Sequence, residues 1–336
     1  MIARVLRAIK RHKRATAGGV FLSACILLNA VAFLHARAMT HYAAPSGRHT
    51  LSPDKLSLFQ KVGVLLTGVK LPRPTNVWTP ADSGLPYTVH HIQSTDAIDL
   101  EAWHVPAASS AVGGAGNLIL IFPGYAAAKS FYLRELKILH DLGCDVLLVD
   151  FRGCGGSSGE VTTIGWREAD DVQATLAFAR KTFTPRRCIL FGDSMGAAAV
   201  LRAIAVHPDV KPDGVILAAP YDRLLTTVEH RFTTMGLPSF PFARLLVFWG
   251  GVGQHFSPFQ MDPIRYAASA RCPALFLQGG EDPWVRQSEG EAVFRSLASA
   301  QKKLVIFDRA SHEPLSGADP GRWKRSVQEY LQSLQR

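Results

Sequence analysis

From Pro86 onward, short near-continuous apolar runs alternate with longer segments whose apolar residues recur at helical spacing. The runs are Asn117–Phe122 (NLILIF), Asp145–Asp150 (DVLLVD), Cys188–Phe191, Gly214–Ala219 (GVILAA), Ala274–Gln278 (ALFLQ) and Lys303–Phe307. Being apolar at successive positions rather than at every second one, they predict strands buried on both faces, as in a parallel sheet covered by helices. The helical segments are Ser130–Leu142, Trp166–Thr182, Met195–His207, Glu289–Ser299 and a last one from Asp319 to Gln335. Strand and helix in alternation predict a mostly parallel sheet with helices on both sides. Two more strand-like runs, Tyr87–Gln93 and Asp99–Val105, are separated by a short turn and predict an antiparallel hairpin at the sheet's edge.

Two stretches break the rhythm. From Asp222 to Ala270 no strand intervenes, and the segment is rich in Phe, Trp, Leu, Gly and Pro (FTTMGLPSFPFARLLVFWGGVG). An insertion of that length, on the side of the sheet where ligands bind, predicts a cap over the site at 222–270. The other is the N-terminus. Ala15–Leu34 carries no charge, and its 20 positions match the roughly 20 residues with which a helix crosses about 30 Å of hydrocarbon. Six Lys and Arg precede it and only Arg37 follows closely. The positive-inside bias therefore puts residues 1–14 in the cytoplasm and the catalytic part across the membrane. Residues 1–38 read as a basic segment with a retained single-pass transmembrane anchor. Ala36-Arg37-Ala38 also has the A-x-A form of a signal-peptidase site, so the alternative is an export signal cleaved after Ala38. Residues 39–85, with turn residues around one helical stretch near Pro53–Thr67, predict a juxtamembrane stem leading into a main domain at 86–336.

Charge first suggests nucleic acid, with a formal net charge of +10. Seven of the 37 Lys and Arg lie within residues 1–38, where no Asp or Glu occurs, so the remaining chain carries 30 basic against 27 acidic residues. The basic excess belongs to the N-terminus, and no nucleic-acid partner is expected. Cys25 sits in the apolar span, while Cys144, Cys154, Cys188 and Cys272 are scattered without metal-ligand spacing. GCGGSSG after DFR lacks the Gly-Lys-Ser/Thr ending of a phosphate loop, so neither a metal nor another cofactor is expected.

The chemistry concentrates in four loops. Gly192-Asp193-Ser194-Met195-Gly196 follows the run CILF and opens the helical AAAVLRAIA. A serine on so tight a strand-to-helix turn presents its hydroxyl at the strand's carboxyl end, and glycines two before and two after leave room for the strained backbone. The hydroxyl needs a base, and chain order puts the acid and the histidine after it. Asp282, with Glu281 as runner-up, follows the strand ALFLQ, and His312 follows KLVIF. Asp222 is a lesser candidate for the acid. His90, His91, His104, His207, His230 and His255 have no such placement and read as surface or packing residues. The Met195 amide at the helix N-terminus and the Tyr125 amide, in Phe122-Pro123-Gly124-Tyr125, supply an oxyanion hole; the Tyr125 phenol reads equally as a pocket wall.

Taken together, GDSMG, FPGY, DFRGCGGSSGE, GGEDPWV and SHEPL resemble the α/β-hydrolase superfamily, in the branch holding serine aminopeptidase-like and monoacylglycerol lipase-like enzymes. The resemblance covers about Pro86 to Arg336. It implies the α/β-hydrolase fold, a Ser194–Asp282–His312 triad, and the Tyr125 and Met195 amides as oxyanion hole. Pro123-Gly124 and Gly279-Gly280 stand where such proteins usually carry His-Gly, a departure that bears on loop geometry. The glycines of DFRGCGGSSG are expected to shape a loop beside the pocket, with Arg152 as an ion-pair partner. The expected function is serine hydrolysis of an ester, thioester or amide of a small-molecule or lipid acyl substrate. The alternative is a membrane-tethered, catalytically inactive binding protein on the same scaffold. Phe240, Phe242, Leu245, Leu246, Phe248 and Trp249 give the cap a dense apolar surface, which favours a lipid or a medium-chain ester over a peptide; the alternative is that these residues pack the insertion onto the domain.

Overall fold

The computed structural model describes residues 2–43, 50, 57–108 and 116–335, with side chains from Thr16 onward except Leu58. Eight strands form one sheet: β1 Thr88–Gln93, β2 Asp99–Val105, β3 Asn117–Phe122, β4 Asp145–Val149, β5 Arg187–Asp193, β6 Gly214–Ala218, β7 Ala274–Gly279 and β8 Lys302–Phe307. Their order is β1-β2-β4-β3-β5-β6-β7-β8. The β1–β2 hairpin and the β2–β4 pair are antiparallel, and the five remaining pairings are parallel. This is the α/β-hydrolase fold.

The apolar runs have the physical cause expected of them, since β3, β6 and β7 are buried at every position. Alternate residues of one strand feed opposite cores. Leu118, Leu120 and Phe122 pack on one face with α4 (Glu168–Phe183), α5 (Met195–Val206) and α9 (Gln287–Ser296). Ile119 and Ile121 pack on the other with α3 (Leu133–Asp141) and α11 (Pro320–Ser333). Edge strand β8 is exposed at Lys303, a charge that discourages further pairing. The helix expected from Ser130 begins only at Leu133, after a 3-10 turn at Lys129–Tyr132 in which Lys129 is fully buried between Asp150 and Glu101. The interval 222–270 folds as α6 (Leu224–Thr234), α7 (Phe242–Gln254) and α8 (Pro263–Tyr266). A one-turn helix, α10 (Leu315–Ala318), precedes α11.

At the N-terminus, α1 runs unbroken from Ile2 to Thr40, 39 residues or about 58 Å. It passes well beyond Leu34, and Thr16–Thr40 is long and apolar enough to cross a membrane. Its two halves differ. Val20, Phe21, Leu22, Ile26 and Leu27 are exposed. From Asn29 onward the helix lies on α7: Trp249 Nε1 donates to Asn29 Oδ1 at 3.0 Å, the Phe33 and Trp249 rings meet edge-on at 5.7 Å, and Ala32 and Ala36 are buried. Trp249 is thus spent on α1, whereas Phe240, Phe242 and Phe248 remain exposed. On another side of α1 lies α2 (Leu58–Thr67), started by a Ser57–Gln60 capping box. The Pro53 end of the expected helix lies outside the described residues.

The glycine-rich loop after β4 does something other than wall the pocket. Its backbone holds the chain that leaves α1: Tyr42 N donates to Glu160 O at 2.9 Å, Thr162 N to Thr40 O at 2.9 Å, and Gly155 N to Pro74 O at 2.8 Å. The Arg73 guanidinium donates to the Ser157 and Gly159 carbonyls. Arg152 is the ion-pair partner expected, held by Asp171 at 2.7 Å and Asp96 at 3.1 Å.

Candidate active site

Ser194 stands where β5 turns into α5, with φ 49° and ψ −108°. A side-chain-bearing residue in the left-handed region costs about 1–3 kcal/mol, which the surrounding packing must hold in place. Ser194 N donates to Ala218 O of β6 at 2.8 Å, and its carbonyl accepts the Ala198 amide at 3.1 Å. The flanking glycines are sterically required. A Cβ on Gly192 would lie 2.5 Å from Ala197 N, and one on Gly196 would lie 2.2 Å from Phe122 O.

Two loops from neighbouring strands complete a hydrogen-bonded line. Ser194 Oγ is 2.9 Å from His312 Nε2. His312 Nδ1 is 2.6 Å from Asp282 Oδ2, whose side chain is fully buried. The other carboxylate oxygen, Oδ1, accepts the amides of Trp284 at 2.9 Å and Val285 at 2.8 Å. The Gly279-Gly280 departure has its reason in this geometry, because a Cβ on either would meet a carbonyl of the histidine loop at 2.5–2.6 Å. The acid and histidine loops lie that close. Glu281 is exposed, and its amide donates to Ala310 O at 3.0 Å. Asp222 is buried away from His312, paired with Arg223 at 2.9 Å, and burial raises its pKa.

The Tyr125 and Met195 amides flank the serine, and neither donates to an acceptor among the described residues. Gly124, beside Tyr125, sits against Asp193: a Cβ there would lie 3.4 Å from Asp193 Oδ2. Tyr132 locks the two loops together, its hydroxyl donating to Asp193 Oδ2 at 2.7 Å and accepting the Gly124 amide at 2.8 Å. Burial raises the Asp193 pKa. Tyr125 lines both cavities at the serine, as expected of a pocket wall, and its phenol is also engaged. It donates to Met39 O of α1 at 2.6 Å, and burial pushes its pKa up to about 12.

Two cavities meet at the serine. One, of about 310 Å³, is open and partly polar, with Phe131, Asp193, Arg231, Trp284, His312 and Glu313 on its walls. The other, narrow at about 40 Å³, is apolar and runs from Ser194 and Tyr221 past Met39, Ile164, Leu224 and Val228. The same four residues continue it to Ala36, Leu246 and Gly250, in the seam between α1 and α7. The sequence reading missed Met39, Arg231 and Trp284 as site residues. Met39 and Arg231 belong to no motif, and only the fold brings the end of α1 and a turn of α6 to the serine. Trp284 stands in the acid loop, 5.0 Å from the His312 ring. Among the described residues no cluster of His, Cys, Asp and Glu is arranged to hold a metal ion.

Comparison with known proteins agrees with this frame. The family model for serine aminopeptidase, S33, matches residues 114–243. An uncharacterized protein of Mycobacterium tuberculosis is 27% identical over 225 residues, 66% of this chain and 72% of that one. The lysophosphatidylserine lipase ABHD12 of Danio rerio is 23% identical over 266 residues, 72% of this chain and 66% of the lipase. The Pyrococcus furiosus esterase Pf2001 superposes with a TM-score of 0.64 at 24% identity, covering 78% of this chain and 96% of its own. At that identity the likeness is one of fold.

Proposed function

We propose that this chain, which has the α/β-hydrolase fold and matches the serine aminopeptidase, S33 family model over residues 114–243, is a serine hydrolase that cleaves acyl esters through an acyl-enzyme on Ser194. The observation that carries this reading is the line Ser194–His312–Asp282, with spacings of 2.9 and 2.6 Å, at a strained elbow beside two amides that have no acceptor among the described residues. His312 Nε2 takes the hydroxyl proton as Ser194 Oγ attacks the carbonyl, and Asp282 keeps the imidazole's other proton on Nδ1. The tetrahedral oxyanion accepts from Tyr125 and Met195, each donor contributing roughly 100- to 1,000-fold in rate. Collapse expels the alcohol, to which His312 returns the proton, and water then resolves the acyl-enzyme by the same steps in reverse.

The substrate is a lipid acyl ester. The apolar side chains that line the narrow cavities behind the serine, about 40 Å³ each, favour an acyl group on that side, and the similarity to a lysophosphatidylserine lipase points the same way. The protein is retained in the membrane by α1, with residues 1–14 cytoplasmic and the hydrolase domain on the far side. The docking of Asn29, Phe33 and Ala36 on the cap supports retention over cleavage after Ala38.

A fluorophosphonate probe tests the chemistry. It should label the wild type and fail on Ser194→Ala. Labelling that survives the substitution refutes the nucleophile, and a wild type that neither labels nor hydrolyses any ester leaves an inactive binding protein.

A further inference from the structure

Among the described residues, Arg231 is the one charge in the cavity whose hydrogen-bonding capacity is left unused. It stands on α6, and among the described residues its guanidinium makes no hydrogen bond and no ion pair. It faces rings instead, 4.6 Å from the Trp284 centroid and 5.7 Å from that of Tyr125. Its neighbours' negative charges are otherwise engaged. Asp282 accepts from His312 and from two amides, Asp193 accepts from Tyr132, and Glu313 is exposed at the rim, accepting the Ser311 amide at 3.3 Å. Burial lowers the Arg231 pKa, although a guanidinium stays charged in any protein. A desolvated cation without an acceptor is costly, and a protein that keeps one beside its reactive serine has a use for it.

Position says which part of a substrate it meets. Arg231 lines both cavities and therefore stands at their junction with Ser194. With the acyl chain in the apolar cavity, the leaving alcohol lies in the polar one, within the guanidinium's reach. The planar fork of five donors fits the oxygens of a phosphate or carboxylate, and the two rings hold that plane in place.

We infer that the preferred substrate is an acyl ester whose alcohol carries an anionic group, phosphate or carboxylate, received by Arg231. This rests on the serine-hydrolase reading and adds to it the chemistry of the leaving group.

The test uses the full-length protein in neutral detergent micelles, with three palmitoyl esters: of glycerol, of glycerol 3-phosphate and of glyceric acid. The wild type should prefer at least one anionic ester over the neutral one, and the preferred arm separates phosphate from carboxylate. Arg231→Gln should lose about 10- to 100-fold more kcat/KM on that ester than on the glycerol ester, as expected for a charge-assisted hydrogen bond. Arg231→Lys, which keeps the charge but not the fork, should recover part of the difference. The inference is overturned if the wild type shows no anionic preference. It is also overturned if Arg231→Gln loses equally on charged and neutral esters, which would make Arg231 a packing partner of Trp284 and Tyr125. Fluorophosphonate labelling of Ser194, run alongside, separates the two readings. A labelled enzyme without anionic preference loses only this inference, whereas an unlabelled, inactive wild type loses the hydrolase reading.

Discussion

Asp282→Asn exchanges one carboxylate oxygen for an NH₂, and the surroundings decide which. Oδ1 accepts two backbone amides, at 2.9 and 2.8 Å, so the asparagine carbonyl must stay there and its NH₂ must face His312 Nδ1. Flipping the amide forfeits two hydrogen bonds at about 0.5–1.5 kcal/mol each and sets NH₂ against two N–H donors at a further 1–3 kcal/mol. The flipped state is therefore a minor one, populated at about one part in thirty or less. In the major state Nδ1 must accept, so the imidazole carries its proton on Nε2, facing Ser194 Oγ across 2.9 Å. A base in that tautomer cannot take the serine proton. The expected loss is about 10⁴-fold in kcat, equivalent to about 5.5 kcal/mol of transition-state stabilisation. The assay is kcat on p-nitrophenyl butyrate, with the melting temperature confirming that the fold is kept. Glu281→Gln, at an exposed neighbour, should change kcat less than twofold. A kcat for Asp282→Asn within tenfold of wild type, or a comparable loss in Glu281→Gln, refutes the argument.

Three further outcomes follow from the geometry. Glu135 is buried, with Oε2 unpartnered, and burial pushes its pKa from 4.5 to about 7. Because the folded state holds its proton more tightly, this group contributes about 3 kcal/mol that is fully present below pH 4.5 and lost as pH rises to about 7. Denaturant titrations should therefore show a smaller stability loss from pH 4.5 to 7 in Glu135→Gln than in wild type, and parallel curves contradict the assignment. Gly250 lines the seam between α1 and α7, and a Cβ there would meet nothing within 4 Å. Gly250→Leu improves helix propensity by about 1 kcal/mol while filling the channel. It should lower the ratio of palmitoyl to acetyl ester kcat/KM about tenfold or more, and an unchanged ratio means that the chain lies elsewhere. Finally, the full-length protein should resist carbonate extraction and expose its hydrolase domain to protease on the non-cytoplasmic side. A soluble form beginning at Met39 would show signal cleavage instead.

Local pattern made much of this protein legible. A parallel sheet buries its strands on both faces, so NLILIF, GVILAA and ALFLQ had to be nearly all apolar, and each is a strand. The elbow was legible for a similar reason: no residue larger than glycine fits at Gly192 and Gly196, so the steric demand is written in the motif itself. Asp282 and His312 were reachable because parallel strands deliver their following loops to one end of the sheet. The choice between Glu281 and Asp282 was less secure, since neighbouring carboxylates look alike until one is seen facing the histidine.

What only the tertiary structure decided depends on contacts between segments far apart in the chain. The apolar cap residues carried no sign that Trp249 is committed to Asn29 and Phe33, some 220 residues away, while Phe248 beside it stays exposed. The glycines after β4 showed a tight loop but not its task, since their partners, Thr40–Tyr42 and Arg73–Pro74, come from a segment whose own pattern is nondescript. Arg231 is one of 37 basic residues, and in the sequence its neighbours say nothing of its surroundings. An unpaired charge is defined by the acceptors that fail to reach it, and that is fixed only when every other segment has taken its place.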